Sequence, residues 1–347
     1  MPTTLEIQGA VKLRKLAKLY LPRALSSRVL LDIFPMVSAN ATKLIYERDQ
    51  LYTGVQGAVG MGGRATPVNK QGFDSWAVEP GYYKDAWTID EEELVNLRDS
   101  GKWDDFKNYT AQAAAGTEHL TKRFLDRVEL SISQIIMSGA FTAADKSGAI
   151  KDRQVFNVPQ YTPATLFSDL ANSQPLNYIR DLIPTLEIGK SVRFQKGFML
   201  MSRPTLNLIL KNQNAADLNG RRLGYGQTVN SEKELSELLV SNDLPPVKVY
   251  DEGYYLDPPG TAPTFNRFMT NGKIVMVGVR QDGEQLGEYR LTRCAQNGEN
   301  AGPGEWYQVE DRRKKDPVSV VLRAGHAGGP VPYYTEGFAT INAAAAF

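Results

Sequence analysis

The side chains of this chain that could do chemistry are few and scattered. Two histidines, His119 and His326, and one cysteine, Cys294, occur among 347 residues. A zinc site takes about four Cys, His or carboxylate ligands, so these three cannot form one without carboxylates. A single cysteine excludes an intrachain disulfide framework and fits a reducing compartment. His119 follows Glu118 on a helical pattern, where a surface position is expected. His326 lies in Ala324-Gly325-His326-Ala327-Gly328-Gly329, which reads as a loop. No G-x-S-x-G elbow offers a serine nucleophile, and no G-x-x-x-x-G-K-[ST] phosphate loop occurs. Gly60-Met61-Gly62-Gly63-Arg64-Ala65 satisfies G-x-G-x-x-A, but Thr66-Pro67-Val68 follows it. Without a helix there, no N-terminus is aimed at a pyrophosphate. Asp90-Glu91-Glu92-Glu93 suggests a cation site less than it suggests an acidic first turn, which the helix dipole favours. Asn219-Gly220-Arg221-Arg222 could touch phosphate or pair with carboxylates of this or a neighbouring chain. The run 310–316, EDRRKKD, reads as a solvated turn. The expectation is a protein with no catalytic residues, no metal ligands and no cofactor, and not an enzyme.

Function must then reside in shape, and the composition limits which shapes are open. The length suits two compact domains, or one with long insertions. Lys plus Arg total 40 against 39 Asp plus Glu, a net charge of +1. A dedicated nucleic-acid binder is usually strongly basic. The charge is uneven, however: Lys12, Arg14, Lys15, Lys18, Arg23 and Arg28 face only Glu6 and Asp32 within residues 1–40. No apolar run reaches membrane-spanning length. Residues 11–21 alternate basic with apolar residues, which is no secretory signal; a mitochondrial presequence is a rival reading.

Element patterns divide the chain. Residues 1–45 predict an arm with one amphipathic helix, on which Leu13, Leu16, Ala17 and Tyr20 recur at helical spacing. That helix either packs on its own domain or reaches a neighbour or a polyanion. Residues 54–72 hold six glycines and Pro67. Flanked by β-prone stretches 44–55 and 75–89, they predict a long hairpin with a mobile tip. A two-stranded ribbon is marginal alone and its edges invite pairing, so it needs a host. Thr88-Ile89-Asp90-Glu91 fits a capping box. Residues 103–137 carry the longest helical stripe: Ala113, Thr117, Leu120, Phe124, Val128, Ile132 and Ile135. Asp126, Arg127, Glu129, Lys122 and Arg123 are assigned to the other face, and Gly116 to a bend or break. Short strands are expected over 141–167. Helices at 175–186, 204–211 and 231–240 alternate with strands at 198–201 and 247–250. Strands at 317–323 and 337–342 end the chain. The fold class is α+β.

Certain phrases, in order, resemble the lambda-type (protein E) family of tailed-bacteriophage major capsid proteins. They are Trp87-Thr88-Ile89-Asp90 with Glu93-Leu94 and Leu97-Arg98; Asn219-Gly220-Arg221-Arg222-Leu223-Gly224 with 235–239; RFMTNGKIVMV at 267–277; DGEQLGEYRL at 282–291; Gly302-Pro303-Gly304-Glu305-Trp306; and PVPYYTEGFATINA at 330–343. The resemblance covers roughly 45–345. It implies the HK97-type capsid fold, mapped as an N-terminal arm (1–45), an extended loop or E-loop across an adjacent subunit (46–88), a peripheral domain with a spine helix (89–165), an axial domain with returning strands (166–310), and C-terminal strands of the peripheral domain (311–347). It implies a self-assembling shell of hexamers and pentamers around double-stranded DNA, formed in the host bacterial cytoplasm and located in the virion capsid. Scaffolding, portal and decoration proteins are the implied partners, with no membrane. Arg64, Lys70, Trp76, Arg221 and Arg222 are the inter-subunit contacts to expect on that map. Lys70 invites the isopeptide cross-link of some relatives, but lambda-type members use non-covalent contacts, so none is expected. Alternatives are an encapsulin-like nanocompartment and a soluble enzyme built on 175–250.

Overall fold

The computed structural model describes residues 10–25, 28–41, 43–49, 73–96, 107–144, 150–212, 215, 231–256, 262–294 and 304–345. One helix organises them. α4, Lys107–Ser138, runs 32 residues, about 48 Å at 1.5 Å per residue. All seven residues of the predicted stripe are buried. Gly116 neither bends nor breaks the helix. A Cβ there would come within 3.0 Å of Trp87 and 3.2 Å of Leu322, so the glycine lets α4 lie close on a sheet. This close approach outweighs the propensity cost of about 1 kcal/mol.

Two sheets lean on α4. The first contains β1 (Met36–Ser38), β13 (Gly287–Thr292), β15 (Ser319–Pro332) and β14 (Trp306–Asp311), with β4 (Gly81–Asp90) on the other side of β15. The second has the order β7 (Gln160–Tyr161), β16 (Phe338–Asn342), β12 (Lys273–Arg280), β8 (Val192–Met201), β9 (Val247–Val249). Strand alternation splits the second sheet's side chains between two cores. Met199, Met201, Ile274, Met276, Ala339 and Ile341 pack under α5 (Pro175–Glu187), α6 (Arg203–Leu210) and α7 (Glu232–Val240). Leu200, Val275, Val277 and Phe338 point the other way, to Val128, Ile132 and Ile136 of α4 and to α2 (Val29–Ile33). The amino-terminal half of α4 instead shares a core with the first sheet, through Ala113, Leu120, Ile89, Val320, Leu322 and Ala324. Leu13 and Ala17 of α1 (Ala10–Leu25) join that core. Of the two readings of the arm helix, the structure has the one packed on its own body.

Local chemistry fixes the joints. The carboxyl end of α4 is held by the second sheet: Lys273 Nζ and Gln160 Nε2 donate to the Met137 carbonyl at 3.3 and 3.1 Å, and Thr340 Oγ1 donates to the Ile136 carbonyl at 2.7 Å. α7 begins as predicted, with the Ser231 hydroxyl accepting the Glu234 amide at 3.2 Å. The outer edge of β9 is occupied by α7 side chains. The Val247 amide donates to Ser236 Oγ, and the Val249 amide to Glu232 Oε1, each at 3.3 Å.

Five sequence expectations change. The stretch 75–89 is not one hairpin leg. β3 (Phe73–Val78) pairs with β2 (Leu44–Asp49), whereas β4 starts after Pro80 and pairs with β15 along its whole length. Proline lacks the amide a continuous ladder requires. The capping box sits two residues later: β4 extends through Asp90, and Glu93 accepts the Asp90 amide at 3.3 Å where α3 (Glu91–Asn96) begins. The third change is Gly116, described above. Glu129, assigned to the polar face, is fully buried. His326 is no loop residue but lies within β15, 1% exposed. The glycines around it permit tight packing, not a turn: a Cβ on Gly325 would stand 2.4 Å from the Tyr83 carbonyl and 2.7 Å from Trp306.

Candidate assembly surfaces

Three two-stranded ribbons stand outside the sheets. β2–β3 pairs Leu44 with Val78 through Asp49 with Phe73. Its root is fixed by Leu44, which is buried against Val331 and Tyr333, and by an exposed Lys43–Glu79 pair at 3.2 Å. Ile45, beside that anchor, is 61% exposed. β5 (Ala140–Ala144) pairs with β6 (Ile150–Val155), whose Val155 is exposed. β10 (Gly253–Leu256) pairs with β11 (Thr264–Arg267). Tyr254 of that ribbon stacks on buried Phe268 at 5.5 Å, tying it to the core. Tyr255, Leu256 and Phe265 remain exposed, with Tyr255 and Phe265 ring centroids 5.4 Å apart. Ribbons of this kind gain stability when another surface covers them.

Of the predicted contact residues, Trp76 lies in β3, opposite Tyr46. Arg64, Lys70, Arg221 and Arg222 lie outside the described residues, as does the 54–72 segment. The groups weighed for chemistry are not assembled into a reaction site. His119 is exposed on α4, edge-on to Trp87 at 5.2 Å. Asp90, Glu91, Glu92 and Glu93 are solvent-exposed. Among the described residues no group of three His, Cys, Asp or Glu side chains is placed to hold a metal. The charge run is a turn whose charges are paired, Arg312 and Arg323 on Glu310 at 2.8 and 2.6 Å and Arg313 on Asp311 at 2.9 Å.

Sequence reasoning missed a buried polar knot behind these surfaces. Arg28, just before α2, reaches Glu129 at 2.5 Å and Asp126 at 2.6 Å. Tyr250, after β9, donates its hydroxyl to Glu129 Oε1 at 2.6 Å. Burial pushes the Glu129 carboxyl up against the pull of Arg28 and Tyr250. Burial opposes the Arg28 charge too, but Glu129 and Asp126 outweigh it and hold that guanidinium above its ordinary value. Burial and the adjacent carboxylate raise the Tyr250 phenol. The knot joins the amino-terminal segment, the spine and the second sheet. Its trace in the sequence is a second row on α4: Leu125, Ile132 and Ile136 are buried with Glu129 at helical spacing among them.

The fold is that of phage capsid proteins. The chain resembles a prophage capsid protein of E. coli CFT073 at 15% identity and TM-score 0.62, covering 98% of this chain and 100% of that one. It also resembles a phage-related protein of Bordetella bronchiseptica RB50 at 10% identity and TM-score 0.54, covering 98% of each chain. The capsid of a native GTA particle matches at 15% identity and TM-score 0.52, over 99% of this chain and 95% of that one. No protein-family model and no curated protein matches the sequence.

Proposed function

We propose that the chain is the major capsid protein of a tailed phage, self-assembling into an icosahedral shell around double-stranded DNA. One observation carries this reading: the capsid fold runs over nearly the whole chain and leaves a rooted ribbon, β2–β3, with no third strand among the described residues. A ribbon that is marginal alone but fixed at its root suits a neighbouring subunit as host. The domain map follows: arm 1–45, extended loop 46–88, peripheral domain with α4, axial domain on the second sheet, and returning carboxyl-terminal strands. Repeated head-to-tail contacts close rings of five and six, and avidity sums modest contacts into a stable shell. Arg64, Lys70, Trp76, Arg221 and Arg222 belong to those contacts. Scaffolding, portal and decoration proteins are its partners in the host cytoplasm, and the virion capsid is its final location. The role is structural, with no catalysis.

The test is expression of the full chain, alone and with a scaffold, followed by negative-stain electron microscopy of the high-mass fraction. Closed shells or regular hexamers and pentamers are expected. A stable monomer under both conditions overturns the reading. Shells that retain protein cargo but not DNA during infection would favour a nanocompartment.

A further inference from the structure

The inner row of β15 is Val320, Leu322, Ala324, His326 and Gly328. Every member but one is apolar. His326 sits under the middle of α4, where the core of the first sheet gives way to the core shared with the second. Each neighbouring element presents an aromatic ring to it: Phe124 of α4 at 4.6 Å, Tyr83 of β4 at 5.1 Å and Tyr289 of β13 at 6.2 Å, between ring centroids. Its one hydrogen bond among the described residues joins Nε2 to the Tyr289 hydroxyl at 3.1 Å. Tyr83 is covered on its far side by the Arg127 guanidinium, 4.3 Å from the ring centre. The hydroxyl of Tyr83 is buried with no partner. Asp85, two residues along β4, is held by Arg123 at 2.9 Å and does not bond the imidazole.

We propose that His326 is a proton-operated joint: protonation there releases the first sheet from α4 while the second sheet stays folded. The pocket is suited to neutral imidazole. Tyr289 donates to Nε2 while the ring is neutral and must turn to accept once it is protonated. The extra charge then shares a buried pocket with Arg127 and no counter-anion. Burial chiefly, with Arg127 second, holds the imidazole down at about 3. The sign follows directly. The folded value lies below the ordinary 6.5, so proton uptake favours the opened state, and its pull grows as pH falls from about 6.5 toward 3. Each pH unit in that window multiplies the opened population by up to about tenfold. The response is local because the second sheet has its own core under α5, α6 and α7, and cooperative units open separately. Glu129, on another face of α4 with Arg28, Asp126 and Tyr250, works in the opposite sense. Its raised value makes protonation favour the folded form.

The experiment uses the full soluble chain with 13C-labelled histidine. Two histidines give two signals, assigned with His119→Gln. Hydrogen exchange is followed in parallel from pH 7.5 to 4, corrected for the intrinsic rate. The His326 signal should remain neutral to about pH 5. As pH falls through the window, peptides covering 81–90 and 319–332 should lose protection, while 192–201 and 273–280 keep theirs. His326→Phe and His326→Gln should flatten that response, and Arg127→Met should move its onset to higher pH. The proposal fails if both His326 variants keep the wild-type pH profile. It fails equally if both sheets open together, or if His326 titrates near 6.5 without loss of protection. Should His326→Phe not fold, the Gln and Arg127 variants decide.

Discussion

Replacing Arg28 with methionine should be among the most damaging single changes in the chain. The side chain of Glu129 is 1% exposed and that of Arg28 is 12% exposed. Deleting the guanidinium leaves the carboxylate with only the Tyr250 hydroxyl at 2.6 Å. Breaking a buried pair from one side costs about 3–5 kcal/mol, because the remaining charge is uncompensated. With an unfolding entropy of about 2.1 cal/mol/K per residue, that lowers the melting temperature by about 4–7 °C. Asp126, 31% exposed, can still be solvated and limits the loss to the Glu129 side. The combined variant Arg28→Met/Glu129→Leu/Tyr250→Phe removes every buried polar member of the knot and should recover most of the stability, because apolar replacement of a whole network is nearly neutral. Differential scanning calorimetry on the soluble chain measures both. A single variant that melts within 1 °C of wild type would refute the reasoning, on the about 4–7 °C expected above. So would a triple variant no more stable than the single one.

Gly116→Val should destabilise the chain by about 1–3 kcal/mol, because its branches press on Trp87 and Leu322 in a filled core; a urea titration measures it. Gly325→Val should separate β4 from β15 and abolish soluble expression, since the Tyr83 carbonyl stands where its Cβ would go. Tyr255→Asp with Phe265→Asp should leave the melting temperature unchanged and block shell formation in sedimentation, because both rings are exposed in the single chain. Between pH 7 and 5, His326 alone should withdraw about 2 kcal/mol of stability, given its value of about 3 in the fold and about 6.5 unfolded. Chemical denaturation of wild type and His326→Gln gives that difference.

The elements were legible where a single period or a cap spoke for itself. The stripe from Ala113 to Ile135 and the Ser231 cap on α7 are local signals, and the structure follows them. The failures share one cause: the deciding contact is distant in sequence. Nothing near Gly325 announces that Trp306 and the Tyr83 carbonyl occupy the space a Cβ would fill. Nothing near Glu129 announces Arg28, 101 residues away, or Tyr250, 121 residues away. Glycine-rich sequence around His326 therefore reads as loop, although β15 passes through it as strand. Assembly surfaces were the least legible part. An exposed side chain such as Phe265 looks the same in sequence whether water or another subunit covers it.

The capped edge of β9 bears on how such a chain avoids error. A protein made in bulk and concentrated against its own copies meets itself more often than it meets anything else. An open strand edge would accept each of those encounters, in any register and without a stopping point. Ser236 and Glu232 answer the outward amides of Val247 and Val249 from within the molecule. Traffic between copies is thereby turned away from this edge and left to surfaces whose shape admits one partner in one orientation, which separates a counted assembly from a precipitate.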